Sequence, residues 1–244
     1  MYDNHLRHLK DRITTPVCQI MPSWITPNLT TLVAFISGLL AVGAAALSMS
    51  PSRLWPLVFW LLNRILDGVD GTLARTRGTA TALGGFLDLL SDFILYSLIP
   101  IALAHGQDRR LEDAVDTVSS ASVDWRAVAV LEATFHINNF VLFYIGAVVA
   151  AKADGELTSV VMTPALIEGL ESGLIFTAMF AWPQYMTRLC WGMSAAVIAG
   201  IVQRVCSVIP LLRRLDQCPA SRKGHDLVTV EPTCISVPNS IEDT

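Results

Sequence analysis

Asp67, Asp70, Asp88 and Asp92 fall within 26 residues of an otherwise apolar stretch. On a helix, Asp67 and Asp70 stand at i,i+3 and Asp88 and Asp92 at i,i+4, so each pair shares one face. Two such faces on neighbouring helices bring four carboxylates to one point. A charge at the centre of a bilayer costs at least about 3 kcal/mol on insertion scales, so four of them require a compensating partner. A divalent metal is the natural one, because Mg²⁺ and Mn²⁺ prefer carboxylate oxygen and suit sites that also hold substrate phosphates. Aspartates also cap helices or pair with arginines, and Arg64 and Arg75 are close in sequence. A cap accounts for one aspartate, however, and not for four at matched spacings.

From Asp67 to Asp92 the chain reads D-x2-D-G-x2-A-R-x8-G-x3-D-x3-D without a gap. This resembles the signature of the CDP-alcohol phosphotransferase (CDP-alcohol phosphatidyltransferase) family of integral membrane phospholipid-synthesis enzymes. Upstream, Ile13-Thr14-Thr15-Pro16 and Thr26-Pro27-Asn28-Leu29 are similar to the N-terminal segment of the family's phosphatidylinositol-phosphate synthase type. The resemblance covers roughly residues 10–105. It implies a site with two divalent ions, Mg²⁺ or Mn²⁺, in which Asp67, Asp70 and Asp88 are metal ligands. Asp92 is implied as the general base, also touching the second metal. Thr26, Pro27, Asn28 and Leu29 are implied to lie against the CDP moiety, and Thr81 matches a hydroxyl position that contacts the donor in the inositol-phosphate type. A homodimer is expected from the resemblance alone.

A CDP-linked donor carries a diphosphate whose P–O bond is broken by an alcohol hydroxyl. Charge on the phosphates must be neutralised, and the proton of the incoming alcohol must be taken up. Two metals about 3.5–4 Å apart would meet the first need and clamp an in-line displacement. Gly71, Ala74 and Gly84 are small at consecutive turns, where a bulky side chain would block the nucleotide. Small residues at four-residue spacing also serve close helix packing in lipid. Arg75 is the one cation inside the motif; it suits the diphosphate and equally a positive-inside anchor.

The elements that must position these residues are membrane helices. The 244-residue chain is 52 % hydrophobic and only 16 % charged, against about 25 % charged in soluble domains. A net charge of −4 argues against a nucleic-acid partner. The five cysteines show no paired spacing, so disulfides and zinc are not expected. The first twenty residues contain no long apolar run, so no secretory signal peptide is expected.

An all-α, polytopic fold follows, with about six spans near 29–49, 54–74, 82–105, 127–151, 160–182 and 187–211. Residues 1–22, with Arg7, Lys10 and Arg12 among apolar positions, read as an amphipathic helix on the membrane surface or as a disordered basic tail. Residues 23–214 form the catalytic domain and 215–244 a disordered polar tail. Ten Lys or Arg against five place both termini and the acidic motif on the cytosolic side.

The acceptor pocket is expected in the later spans. A phosphorylated acceptor needs a cationic pocket, yet Arg204 is the only basic residue well inside spans four to six. His136, Asn138, Asn139, Glu168 and Glu171 suit a neutral polyol or an amino alcohol better. His136 is equally an interhelical hydrogen-bond partner, and Glu168 a cap or a partner of Lys152. The leading function is phosphatidyl transfer from CDP-diacylglycerol to a small alcohol with release of CMP. The alternatives are a CDP-choline or CDP-ethanolamine type acting on diacylglycerol, and a cation-binding membrane transporter. Against the transporter stands the lack of an internal repeat between the two halves.

Overall fold

Thr26 opens the first long helix. Its side chain accepts a hydrogen bond from the Leu29 amide at 3.3 Å, and Pro27 occupies the first helical turn, where its missing N–H leaves no unsatisfied donor. The computed structural model describes residues 14–47, 54–113, 123–152 and 169–217. Among these the chain is helical, without strands: α1 (14–20), α2 (Pro27–Ala46), α3 (Leu54–Thr76), α4 (Ala82–Asp113), α5 (Trp125–Lys152), α6 (Gly169–Ala181) and α7 (Met186–Gln217). A 3₁₀ turn, Pro183–Tyr185, leads into α7.

The all-α class is as expected. Among the described residues, four helices are long and apolar enough to cross a membrane, over Pro27–Ala46, Ala82–Arg110, Trp125–Ala147 and Pro183–Pro210. The 23-residue α3 has the length, but Arg64, Asp67, Asp70 and Arg75 make it polar. In α6 only 13 residues are described, and most of the first half of the expected 160–182 span lies outside the described residues. The basic cluster Arg7, Lys10 and Arg12 and the tail from residue 218 also lie outside them. α4 continues to Asp113, well beyond the expected end at 105.

α2 shows why these helices suit lipid. Its buried face is small or hydroxylic (Thr30, Thr31, Ala34, Ser37, Gly38, Ala41 and Ala45). Large apolar side chains such as Leu32, Val33, Ile36 and Leu40 point outward. Small residues let helices approach closely where lipid supplies no hydrophobic drive for association. The α2 backbone therefore approaches both α3 and α4 closely. At Gly38 an added Cβ would lie 2.4 Å from a Leu95 methyl of α4, and Asn63 of α3 donates to the Ala34 carbonyl at 2.8 Å.

The chain divides into two units. Met1–Ala133 with Ile167–Ala195 holds the acidic motif and an aromatic core. In that core Trp60 is fully buried, stacks on Phe180 at 5.7 Å, meets Phe176 edge-on at 6.0 Å and donates its indole N–H to Thr177 of α6. Thr134–Leu166 with Ala196–Thr244 forms the second unit. Within it, buried Arg204 of α7 donates to Asn138 of α5 at 2.6 Å.

Candidate active site

The turn between α3 and α4 orients the two aspartate pairs. Gly78 adopts φ +63°, the left-handed conformation that costs glycine nothing. The Gly78 amide donates to Arg75 O and the Thr79 amide to Ala74 O, which is the Schellman closure of a helix C-terminus. Thr81 then caps α4, accepting from the Gly84 amide at 3.0 Å. The chain thus reverses, and Asp67 and Asp70 on α3 come opposite Asp88 and Asp92 on α4. Asp88 lies within hydrogen-bonding reach of Asp67 and feels the charges of Asp70 and Asp92. Asp88 thus neighbours carboxylates of both pairs.

Other groups hold them. Thr31 of α2 donates to Asp70 at 2.6 Å. Arg64 donates to Asp92 at 2.6 Å and lies 3.6 Å from Asp67. No three acidic, histidine or cysteine side chains among the described residues converge as a ready ligand shell. The donor chemistry nevertheless fits a hard divalent ion: four carboxylates, with neither thiolate nor imidazole among them. Asp67, Asp70, Asp88 and Asp92 are the residues that would hold such ions.

Of the residues expected at the nucleotide end, Asn28, Thr81 and Gly84 meet one another, and Gly71 meets Arg75. A Cβ added at Gly84 would lie 3.2 Å from both Asn28 Oδ1 and Thr81 Oγ1, so the start of α2 lies directly against the start of α4. At Gly71 an added Cβ would lie 3.3 Å from the Arg75 guanidinium, which also donates to Thr72. Thr26, Asn28, Arg75 and Thr81 are exposed, and Leu29 is 38 % exposed. Pro27, Gly71, Ala74 and Gly84 are half-buried. This end of the site is open and edged by small residues. From behind, Arg77 braces it, donating to the carbonyls of Met21, Pro22 and Ile25.

The acceptor residues are less gathered. Glu171 is half-buried in the first turn of α6, two residues before Gly173, which faces the Arg64 side chain. His136 is exposed and Asn139 half-buried on α5, in the second unit. Glu168 lies outside the described residues.

Two charged residues had no assigned role in the sequence. Arg64 was visible only as a neighbour of the aspartates. Glu132 of α5 is within hydrogen-bonding reach of Ser97 of α4, and its Oε1 has no partner. Its signal was a lone acid in an apolar span.

The chain is similar to several known proteins. The inner membrane protein YnjF of Escherichia coli is 45 % identical over 101 residues, 41 % of this chain and 47 % of that one, so the match spans less than half of that relative. The phosphatidylinositol phosphate synthase of Corynebacterium glutamicum is 29 % identical over 90 % of this chain and 95 % of its own length. The phosphatidylinositol phosphate synthase of Mycobacterium tuberculosis, solved with CDP-DAG bound, shares the fold: TM-score 0.59, 20 % identity, 81 % of this chain and 94 % of that one. The same protein in complex with manganese and citrate gives a TM-score of 0.55, at 20 % identity over 80 % and 88 % of the two chains. Residues 24–191 match a family model, and with it the aspartate motif, the small residues around it and the membrane helices that carry them identify this chain as a member of the CDP-alcohol phosphatidyltransferase family.

Proposed function

We propose that this enzyme moves a phosphatidyl group from CDP-diacylglycerol onto a small alcohol and releases CMP. One observation carries the reading: Asp88 of α4 neighbours Asp67 and Asp70 of α3, while Asn28 of α2 lies against Gly84 at the start of α4. Gly71, Ala74 and Gly84 leave room for the cytidine, with Thr26, Pro27, Asn28, Leu29 and Thr81 along its edge. Arg75 faces the diphosphate. Two Mg²⁺ or Mn²⁺ ions, when bound by Asp67, Asp70, Asp88 and Asp92, supply neutralisation of the diphosphate charge. Asp92 takes the proton of the acceptor hydroxyl. The acceptor oxygen bonds to the phosphorus that carries diacylglycerol, the bond from that phosphorus to the bridging oxygen breaks, and CMP leaves with that oxygen.

The acceptor is a neutral polyol or an amino alcohol. Supporting this, buried Arg204 already donates to Asn138, and Glu171 adds negative charge in the first turn of α6. A second reading, a phosphorylated polyol, is favoured by the phosphatidylinositol phosphate synthase that aligns over 95 % of its length. The six-span arrangement with cytosolic termini and site, and a homodimer, complete the proposal; α3 and α6 are the two added spans.

The test is CMP release by purified protein in detergent, with CDP-diacylglycerol, Mg²⁺ or Mn²⁺, and separate acceptors: inositol, glycerol, serine, ethanolamine, and the phosphates of inositol and glycerol. Chelator should abolish release, Mn²⁺ or Mg²⁺ restore it, and Asp92→Asn give the blank. Release with inositol phosphate alone would replace the neutral acceptor by the second reading. Silence throughout, with CDP-choline and diacylglycerol active, would overturn the donor assignment.

A further inference from the structure

Arg64 is held on every side. Its Nε donates to Asn63 Oδ1 at 2.7 Å, Nη1 to the Tyr96 hydroxyl at 3.0 Å and Nη2 to Asp92 Oδ1 at 2.6 Å. The guanidinium carbon sits 4.6 Å from the centre of the buried Trp60 ring and 5.5 Å from that of Tyr96. Gly173 of α6 closes over the aliphatic part, where an added Cβ would lie 3.7 Å from Cδ. Asn63 is itself tied to the α2 backbone, and Trp60 to Thr177. A planar fork fixed in this way is preorganised, so little freedom is lost when it binds a carboxylate.

We infer that Arg64 is a positioning residue for the transfer: anchored by Trp60, Asn63 and Tyr96, it fixes the orientation of the Asp92 carboxylate toward the reacting hydroxyl. This rests on the reading of Asp92 as the base. The backbones of α3 and α4 approach each other less closely than either approaches α2, and the Arg64 side chain spans from α3 to Asp92 on α4. An aspartate has two rotatable bonds and would turn toward the strongest nearby charge. Beside divalent ions that means the metal, and the guanidinium holds one oxygen against that pull. Arg64 is also a fixed positive charge beside the metal ligands, so it opposes cation loading while assisting turnover. A residue that merely supported the fold would not act in opposite directions on these two properties.

The experiment uses the full chain in detergent and measures kcat and donor KM by CMP release and, separately, Mn²⁺ affinity by electron paramagnetic resonance of the free ion. For Arg64→Gln the expected result is a kcat lower by about tenfold or more, as misplacement of a reacting group gives. Donor KM should stay within about twofold, while Mn²⁺ should bind about tenfold more tightly as the nearby charge is removed. Arg64→Lys keeps the charge and loses the fork, so kcat falls while Mn²⁺ affinity stays as in the wild type. Tyr96→Phe removes one anchor and lowers kcat by a few-fold; it and the lysine variant carry the test if Arg64→Gln does not fold. Unchanged kcat in the folded Arg64 variants, or kcat and Mn²⁺ affinity falling together, overturns the inference. Asp92→Asn separates the two readings. If it stays active the role of Asp92 falls, whereas if it is silent and Arg64→Gln is fully active only the role of Arg64 falls.

Discussion

The Thr31 hydroxyl lies 2.6 Å from Asp70 Oδ2 and 3.1 Å from the Pro27 carbonyl. One proton is shared between the second aspartate of the motif and the first turn of α2. The contact links the helix that carries Asn28 to the carboxylate cluster, and both groups are buried. Under the proposed function Asp70 is a metal ligand, and an outer residue that fixes a ligand's direction is worth about 10–100-fold in metal affinity. Thr31→Val keeps the shape and removes the donor. Its Mn²⁺ affinity should fall by about tenfold, and wild-type affinity in a titration of the purified variant would mean that Asp70 is oriented by something else.

A Cβ added at Gly84 would meet Asn28 and Thr81 at 3.2 Å, tighter than ordinary contact, so Gly84→Val must displace one of them. Under the proposed function the displaced groups edge the nucleotide. The expected outcome is a donor KM raised by about tenfold or more, with stability lowered by no more than about 2 kcal/mol, the cost of losing the Thr81 cap. Gly71→Val should behave alike, since its neighbour is the Arg75 guanidinium. A normal donor KM in both would remove these glycines from the nucleotide site.

The four aspartates were legible because their spacing matches the helical repeat and because an acid in an apolar run needs a reason. Thr26-Pro27 was equally legible as a helix start, since cap and first-turn proline are local chemistry. Arg64 was not. Its partner Asp92 is 28 residues away on another helix, and only the spatial relation of α3 and α4 shows that the two meet. The apolar residues of α5 are spread around the helix with no preferred face, so periodicity could not tell that His136 is exposed. The extension of α4 to Asp113 was hidden by polar residues that read as loop. Gln107, Arg109 and Arg110 are good helix formers, and Asp108 ties the helix to the start of α5 by accepting from the Trp125 indole at 2.7 Å.

Gly38 and Gly43 lie in the same helix and predict opposite outcomes. At Gly38 a Cβ would overlap Leu95, a fully buried side chain with little room to yield. Gly38→Ala should destabilise the folded protein by about 1–3 kcal/mol, the usual result of overfilling a close contact. At Gly43 an added Cβ meets nothing within 4 Å among the described residues. Gly43→Ala should be neutral or stabilise by up to about 1 kcal/mol through helix propensity. Denaturant titration in one detergent compares them directly, and equal stabilities would show that α2 and α4 are not closely packed at Gly38.

Arg77 offers a way to separate binding from turnover. It holds three carbonyls of the segment 21–25, immediately before the Thr26 cap, and Cys18 and Val69 pack beneath that segment with Leu73. Arg77→Gln retains a donor but cannot reach three acceptors at once, so the segment loses its brace while the aspartates keep theirs. The cost falls on whatever the start of α2 holds. Donor KM should rise by about three- to tenfold, as a loss of uniform binding would give, with kcat at saturating donor unchanged. Limited proteolysis should cut faster near residues 21–25, because a less protected backbone opens more often. A fall in kcat with unaltered donor KM would place the effect of Arg77 on the aspartate cluster instead, through α3, whose C-terminal end it adjoins.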